Sequence, residues 1–248
     1  MTTAPAEESW VVEPRYGEAW HAVGSEHDLP LVPPIPRRRH EGFSREHRLA
    51  ETLMSRGDLT GFARLPRFEV YNRRTPGALL WTGGIGYRIA SQEILDVLGQ
   101  VGATGWFAHP VQIRHRDGSE LRGYSMLFVT GVCPPLWTRT DPASIRANEP
   151  TGSWTGRGSR IGSVDGTDVF WEPGPASWEL CVTDRVARAL RESGLRGFSL
   201  QRFSRYAPIL HSEYVSLLRP DLVADDHEDV DPAFLDRARA QLAMWRTA

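Results

Sequence analysis

Two segments of this chain follow one pattern, and that pattern constrains the fold more than anything else in the sequence. Aligning Ser91 with Thr183, without a gap, sets Ile94 against Val186, Leu98 against Leu190, Gly102 against Gly194, Gly105 against Gly197 and Trp106 against Phe198. Physical roles agree along with the letters. Ser91 and Thr183 suit an N-cap, where a hydroxyl can accept from the free N–H groups of a first helical turn. Ile94, Leu98 and Val101 fall on one face of a short helix, as do Val186 and Leu190. Gly102 and Gly194 stop those helices in the left-handed conformation that glycine enters without steric cost. Gly105 and Gly197 then admit a tight turn into a strand, WFAHPVQI in one segment and FSLQRF in the other. The strands before the helices read GYRIA and WELCV. The sequence therefore predicts two repeated strand–helix–strand units, residues 87–111 and 178–203, in an α+β protein whose mixed sheet carries short helices.

The rest of the chain is placed around those units. Residues 1–60 read as an irregular, Pro-rich segment with one helix. Pro30, Pro33, Pro34 and Pro36 suit an extended path, and Arg37, Arg38, Arg39 and His40 read as solvated surface. Residues 44–56 have helical spacing, with Ser44 as cap and Gly57 as stop. Residues 61–248 form the α+β body. Further strands are expected from Phe68 to Tyr71, Ala78 to Trp81 and Tyr124 to Val132, with Gly83, Gly84 and Gly86 in a turn. Residues 138–168 read as loop with room for one short strand. Asp231 and Pro232 start a C-terminal helix. Its apolar face, Phe234, Leu235, Ala238, Leu242 and Trp245, should dock on the body.

Composition excludes several functional classes. The formal charge of -2 over 248 residues lacks the basic footprint of a nucleic-acid binder. The N-terminal MTTAPAEESW has neither the basic nor the apolar region of a signal peptide. No apolar run approaches the roughly 20 residues needed to cross a bilayer. A cytoplasmic protein without a membrane partner is expected. Cys133 and Cys181 stand apart in apolar runs and read as small buried hydrophobes rather than zinc ligands. Every basic side chain other than histidine is arginine, which stacks and forks where lysine does not.

No catalytic or metal-binding constellation emerges, so neither cofactor nor metal is expected. His109, His115 and Asp117 lie close in sequence, but no activated nucleophile accompanies them. His40 and His47 do not form a metal-binding pair. The densest charge run, Asp225, Asp226, Glu228 and Asp229, precedes the C-terminal helix. Acid–base catalysis needs such groups in a dry cleft, whereas this run suits solvent or a basic partner. Trp154 lies in the polar stretch TGSWTGRGS, either folded back over the core or exposed as a binding anchor.

The segment LCVTDRVARALRESGLRGFSLQRF, with VDGTDVFWEP before it, resembles the DUF1629, or Imm43-like, family of predicted bacterial immunity proteins. IASQEILDVLGQVGATGWFAHPVQI and GYSMLFVTGVCPPL are similar to the family's first half, so the likeness spans roughly residues 66–206. The doubled CxxCG motifs of a related group are missing, so no zinc is carried over. The resemblance implies a protein that neutralises a cognate toxin of a polymorphic toxin system by direct contact. Asp225, Asp226, Glu228, Asp229 and Trp154 are its candidate partner-binding residues. The alternative is an enzyme, a hydrolase or transferase, with a site assembled from distant residues such as His109, His211 and Asp117.

Overall fold

The computed structural model describes residues 8–14, 23–26, 67–70, 76–80, 87–115, 117–148, 153–158, 161–171, 179–207, 209–210, 212–222, 236, 238–240 and 242–244. In chain order the first strands are β1 (Ser9–Pro14), β2 (Val23–Glu26), β3 (Arg67–Val70), β4 (Leu79–Leu80) and β5 (Tyr87–Ser91), followed by helix α1 (Gln92–Gln100). Next come β6 (Trp106–Pro110), β7 (Gln112–His115), β8 (Glu120–Leu121), β9 (Tyr124–Val129), β10 (Gly131–Val132), β11 (Arg146–Asn148), β12 (Ser153–Thr155) and β13 (Val169–Trp171). The chain continues through β14 (Leu180–Thr183), α2 (Asp184–Glu192), β15 (Phe198–Arg202), β16 (Ile209–Leu210) and α3 (Ser212–Leu218). Short helices and several sheets in one chain make this an α+β protein.

Two sheets carry the body. One runs β4-β5-β9-β6 and the other β10-β13-β14-β1-β15. In the first, β9 lies antiparallel between β5 and β6; in the second, β1 lies antiparallel between β14 and β15. Among the described residues two further sheets run β2-β3-β7-β8 and β11-β12-β16.

Side-chain alternation explains the layers. On β9, Leu127 and Val129 point into one cluster while Met126 and Phe128 point into another. β1 divides in the same way, with Trp10 and Val12 on one side and Val11 on the other. The largest cluster draws on both body sheets and both long helices. Leu79, Ala90, Leu127, Val182 and Trp171 meet Ile94, Leu95 and Leu98 of α1 and Val186, Ala187 and Leu190 of α2. Burying one such aliphatic side chain contributes about 1.5–3 kcal/mol.

Backbone bonds also tie the turn after each of these two helices to chain that flanks the other strand–helix–strand segment. The Val169 N–H donates to the Thr104 carbonyl at 3.0 Å, and the Ala78 N–H donates to the Arg196 carbonyl at 3.0 Å. The first runs from β13, beside β14, to the turn after α1, and the second from the residue before β4, beside β5, to the turn after α2.

Several local expectations are corrected. Residues 9–14 and 23–26, read as irregular, form β1 and β2. The prolines behind that reading begin only at Pro30, whereas Val11 and Val12 are β-branched and suit a strand buried on both faces. The Ser91 and Thr183 hydroxyls do not cap their helices. Thr183 Oγ1 donates instead to Asp168 Oδ1 at 3.0 Å. The stretch 138–168 holds two short strands, β11 and β12, and a one-turn helix at Pro142–Ser144.

The helix expected over 44–56, the glycine turn 83–86, the basic run 37–40, His47 and the helix start at Asp231 and Pro232 lie outside the described residues. Farther on, residues 236, 238–240 and 242–244 are helical. Ala238 and Leu242 there pack against Trp137, Leu210 and Val215.

Candidate functional site

Trp154 stands on β12, the middle strand of its sheet, opposite Ala147 and Leu210. It is half-buried and packs on the cluster of Trp137, Ile145 and Leu210. A central strand directs every second side chain into its core face, so Trp154 serves that cluster. Asp225, Asp226, Glu228 and Asp229 lie outside the described residues, as does His211.

The histidine and aspartate of the enzymatic alternative have separate surroundings. His109 sits half-buried on β6 opposite Met126, and burial pushes its imidazole pKa down. Asp117 is exposed in a turn, where its Oδ1 accepts from the Ser119 hydroxyl at 2.6 Å and the Ser119 N–H at 2.9 Å. Those two bonds hold its carboxyl below the ordinary range. Cys133 and Cys181 are not joined in a disulfide, and both are fully buried. Among the described residues, no group of three or more His, Cys, Asp or Glu side chains could hold a metal ion.

A more organised arrangement surrounds Trp10. The indole is only 8% exposed, and its Nε1–H donates to Asp184 Oδ1 at 2.9 Å. Asp184 opens α2, and Arg188, four residues on, pairs with it at 2.8 Å. Arg191 follows on the same helical face and lays its guanidinium over the ring, 4.6 Å from the centroid. From the neighbouring strand Arg202, directly opposite Trp10 in the β1–β15 ladder, reaches the same ring at 5.2 Å. Arg202 also pairs with Glu8 at 3.3 Å.

Sequence spacing accounts for the helical side of this platform, because positions three and four apart share a helix face. The strand side depends on ladder register alone. Each cation–π contact stabilises by about 0.5–1 kcal/mol at a solvent-facing site. The Trp10 N–H, and then Arg188, hold the Asp184 carboxyl below its ordinary value.

On the opposite face of the same sheet lies a carboxylate pair. Val12 faces Leu180, and one step further along the ladder Glu13 meets Glu179. The Tyr206 hydroxyl donates to Glu179 Oε1 at 2.8 Å. Burial raises the Glu13 pKa, the nearby Glu179 raises it further, and Arg88 works against both. Burial also pushes the Tyr206 phenol up, followed by the charge of Glu179.

The pair has a consequence for stability. A carboxyl whose pKa is raised on folding stabilises the fold fully below its unfolded value, near 4.5 for Glu13. That contribution is lost as pH rises through the folded value. Like charges facing each other across a ladder cost roughly 0.2–1 kcal/mol. Glu13→Gln is therefore expected to stabilise the protein by about 0.5–1 kcal/mol at pH 7–8. The gain should vanish near pH 4. Urea melts at the two pH values check this, and a gain of equal size at both would contradict it.

Neither the platform nor the pair was legible from the sequence, because both depend on β1. No family model matches this chain, and no curated protein shows significant similarity to it. No helix among the described residues is long and apolar enough to cross a membrane.

Proposed function

We propose that this chain is a cytoplasmic, immunity-type binding protein that neutralises a cognate bacterial toxin by direct protein–protein contact. The carrying observation is the platform, where Arg191 and Arg202 are steadied on one buried indole. Arginine and aromatic side chains dominate binding hot spots, and side chains ordered in advance lose less entropy on binding. The acidic run Asp225, Asp226, Glu228 and Asp229 supplies an oppositely charged contact, suited to steering a basic region of the same toxin.

The body is, in this reading, a duplicated scaffold with repeat units 87–111 and 178–203. Its support is the shared element order, the strand inserted between each unit's two strands, and the reciprocal bonds Val169 to Thr104 and Ala78 to Arg196.

Co-expression with the product of the adjacent open reading frame tests the reading. The expected outcome is relief of that product's toxicity and a stoichiometric complex on size exclusion. A neighbour that stays toxic and forms no complex would refute it. Neutralising Asp225, Asp226, Glu228 and Asp229 to Asn or Gln should slow association at low salt more than it speeds dissociation. Stopped-flow mixing at two salt concentrations reads this, and an unchanged low-salt association rate would remove the run from the interface.

The paired carboxylates favour a second reading, an enzyme using Glu13, Glu179 and Tyr206 in proton transfer. Burial and the neighbouring Glu179 push the Glu13 carboxyl up, in the direction a general acid requires. Turnover in a broad hydrolase screen that Glu179→Gln abolishes would establish this reading over the first.

A further inference from the structure

We infer that the surface formed by Trp10, Arg191 and Arg202 is a docking site for an acidic protein segment, whose carboxylates are gripped by the two guanidinium groups. The inference rests on the binding reading above and names the chemistry of the partner surface.

Pairing separates these arginines from their neighbours. Arg185 is bound to Asp168 at 2.6 Å and Arg188 to Asp184 at 2.8 Å. Among the described residues no carboxylate pairs with Arg191. Arg202 directs NH1 toward Glu8 at 3.3 Å, and among the described residues no second carboxylate pairs with it. Both side chains are exposed, yet each is held against the same ring. That ring is fixed in turn by its bond to Asp184. The result is a pair of planar five-donor groups whose position is set before any partner arrives. Guanidinium forks match carboxylates with two parallel hydrogen bonds.

Local charge selects protein over nucleic acid. Glu8 and Asp184 stand within the platform. A continuous row of phosphates would run against both, whereas one or two carboxylates can sit between them. The net charge of -2 also opposes general attraction of a polyanion.

The test uses full-length protein and two labelled probes of equal length, a ten-residue glycine–serine peptide with two central glutamates and a decathymidine oligonucleotide, followed by fluorescence anisotropy. Variants are Arg191→Gln, Arg202→Gln, their double and Arg202→Lys. Arg122→Gln is the control, because Arg122 is exposed and paired with Glu120 at 2.8 Å away from the platform. The peptide is expected to bind, with the double variant weakened about tenfold or more and Arg122→Gln unchanged. Arg202→Lys should recover only part of the loss, since it restores charge without the fork. This variant also keeps the result readable if the double variant does not fold.

Failure of the peptide to bind, equal loss in Arg122→Gln, or an oligonucleotide that binds as tightly with the same arginine dependence overturns the proposal. The toxin complex separates this outcome from the broader reading. If the double variant holds the toxin at wild-type affinity, the platform is not the interface but the immunity function stands. If the wild-type protein binds peptide through these arginines and no toxin is found, the immunity reading falls and the docking site stands.

Discussion

Gly197→Ala is expected to destabilise the protein by about 3–5 kcal/mol, as is Gly105→Ala. In a chain of this size that lowers the melting temperature by roughly 10 °C or more. Two effects combine. Gly197 has φ +94° and Gly105 φ +85°, conformations that side chains of L-residues adopt only under strain. A methyl group would also collide with backbone that flanks the other segment. At Gly197 it would lie 2.4 Å from the Gly77 Cα and 2.9 Å from the Ala78 nitrogen. At Gly105 it would lie 2.3 Å from the Val169 carbonyl oxygen. These are the places where Arg196 and Thr104 receive their backbone bonds from Ala78 and Val169, so neither neighbour can retreat without breaking the junction. Gly102 provides the control, since its φ is +60° with nothing within 4 Å of an added methyl. Gly102→Ala should cost only about 1–2 kcal/mol. Thermal melts of the three variants measure the difference, and equal losses at Gly102 and Gly197 would show that close packing at the junction contributes nothing.

The sequence makes these turns legible because each is a local event. An apolar helical face ending in two closely spaced glycines needs no distant partner to be recognised, so α1 and α2 lie where the pattern expects them. β1 lacks such a signature. Its few apolar residues gain meaning only from Leu180 to Thr183 and Phe198 to Arg202, segments far along the chain. A short apolar run buried on both faces has no diagnostic period. Everything built on β1 was hidden for the same reason, including the Arg202 side of the Trp10 platform and the meeting of Glu13 with Glu179. The side-chain caps failed differently. Thr183 is positioned as the reading required, but a buried carboxylate competes for its hydroxyl, and pattern analysis of one segment cannot reveal that competitor.

That carboxylate carries the second large prediction. Asp168→Ala is expected to cost about 3 kcal/mol, while Arg185→Ala costs 1 kcal/mol or less. The difference follows from where the two partners sit. Asp168 is buried, and its Oδ2 accepts from the Thr104 N–H at 3.0 Å, the Thr104 hydroxyl at 3.2 Å and Arg185 NH2 at 2.6 Å. Its Oδ1 accepts from the Thr183 hydroxyl. One side chain thus ties the turn after α1 to the head of α2. Truncating it removes the shared acceptor of four part-buried hydrogen bonds and empties a buried position, and a lost bond of this kind costs about 1 kcal/mol. Removing Arg185 also loses its bond to the Val101 carbonyl, but that bond is exposed, the side chain is 47% exposed, and the Thr donors remain on Asp168. Burial alone would raise the Asp168 pKa, but the Thr104 N–H, Arg185 and Thr183 together outweigh it and hold the group below 3.8. Its contribution is therefore complete above that value and is lost as pH falls through the lower folded pKa. Denaturant melts of Asp168→Ala, Arg185→Ala and the double variant complete the test. The double variant should match Asp168→Ala to within about 0.5 kcal/mol, and the gap from wild type should narrow toward pH 2. Equal losses from the two single variants would mean that the exposed ion pair, rather than the part-buried hydrogen bonds to threonine, holds the junction.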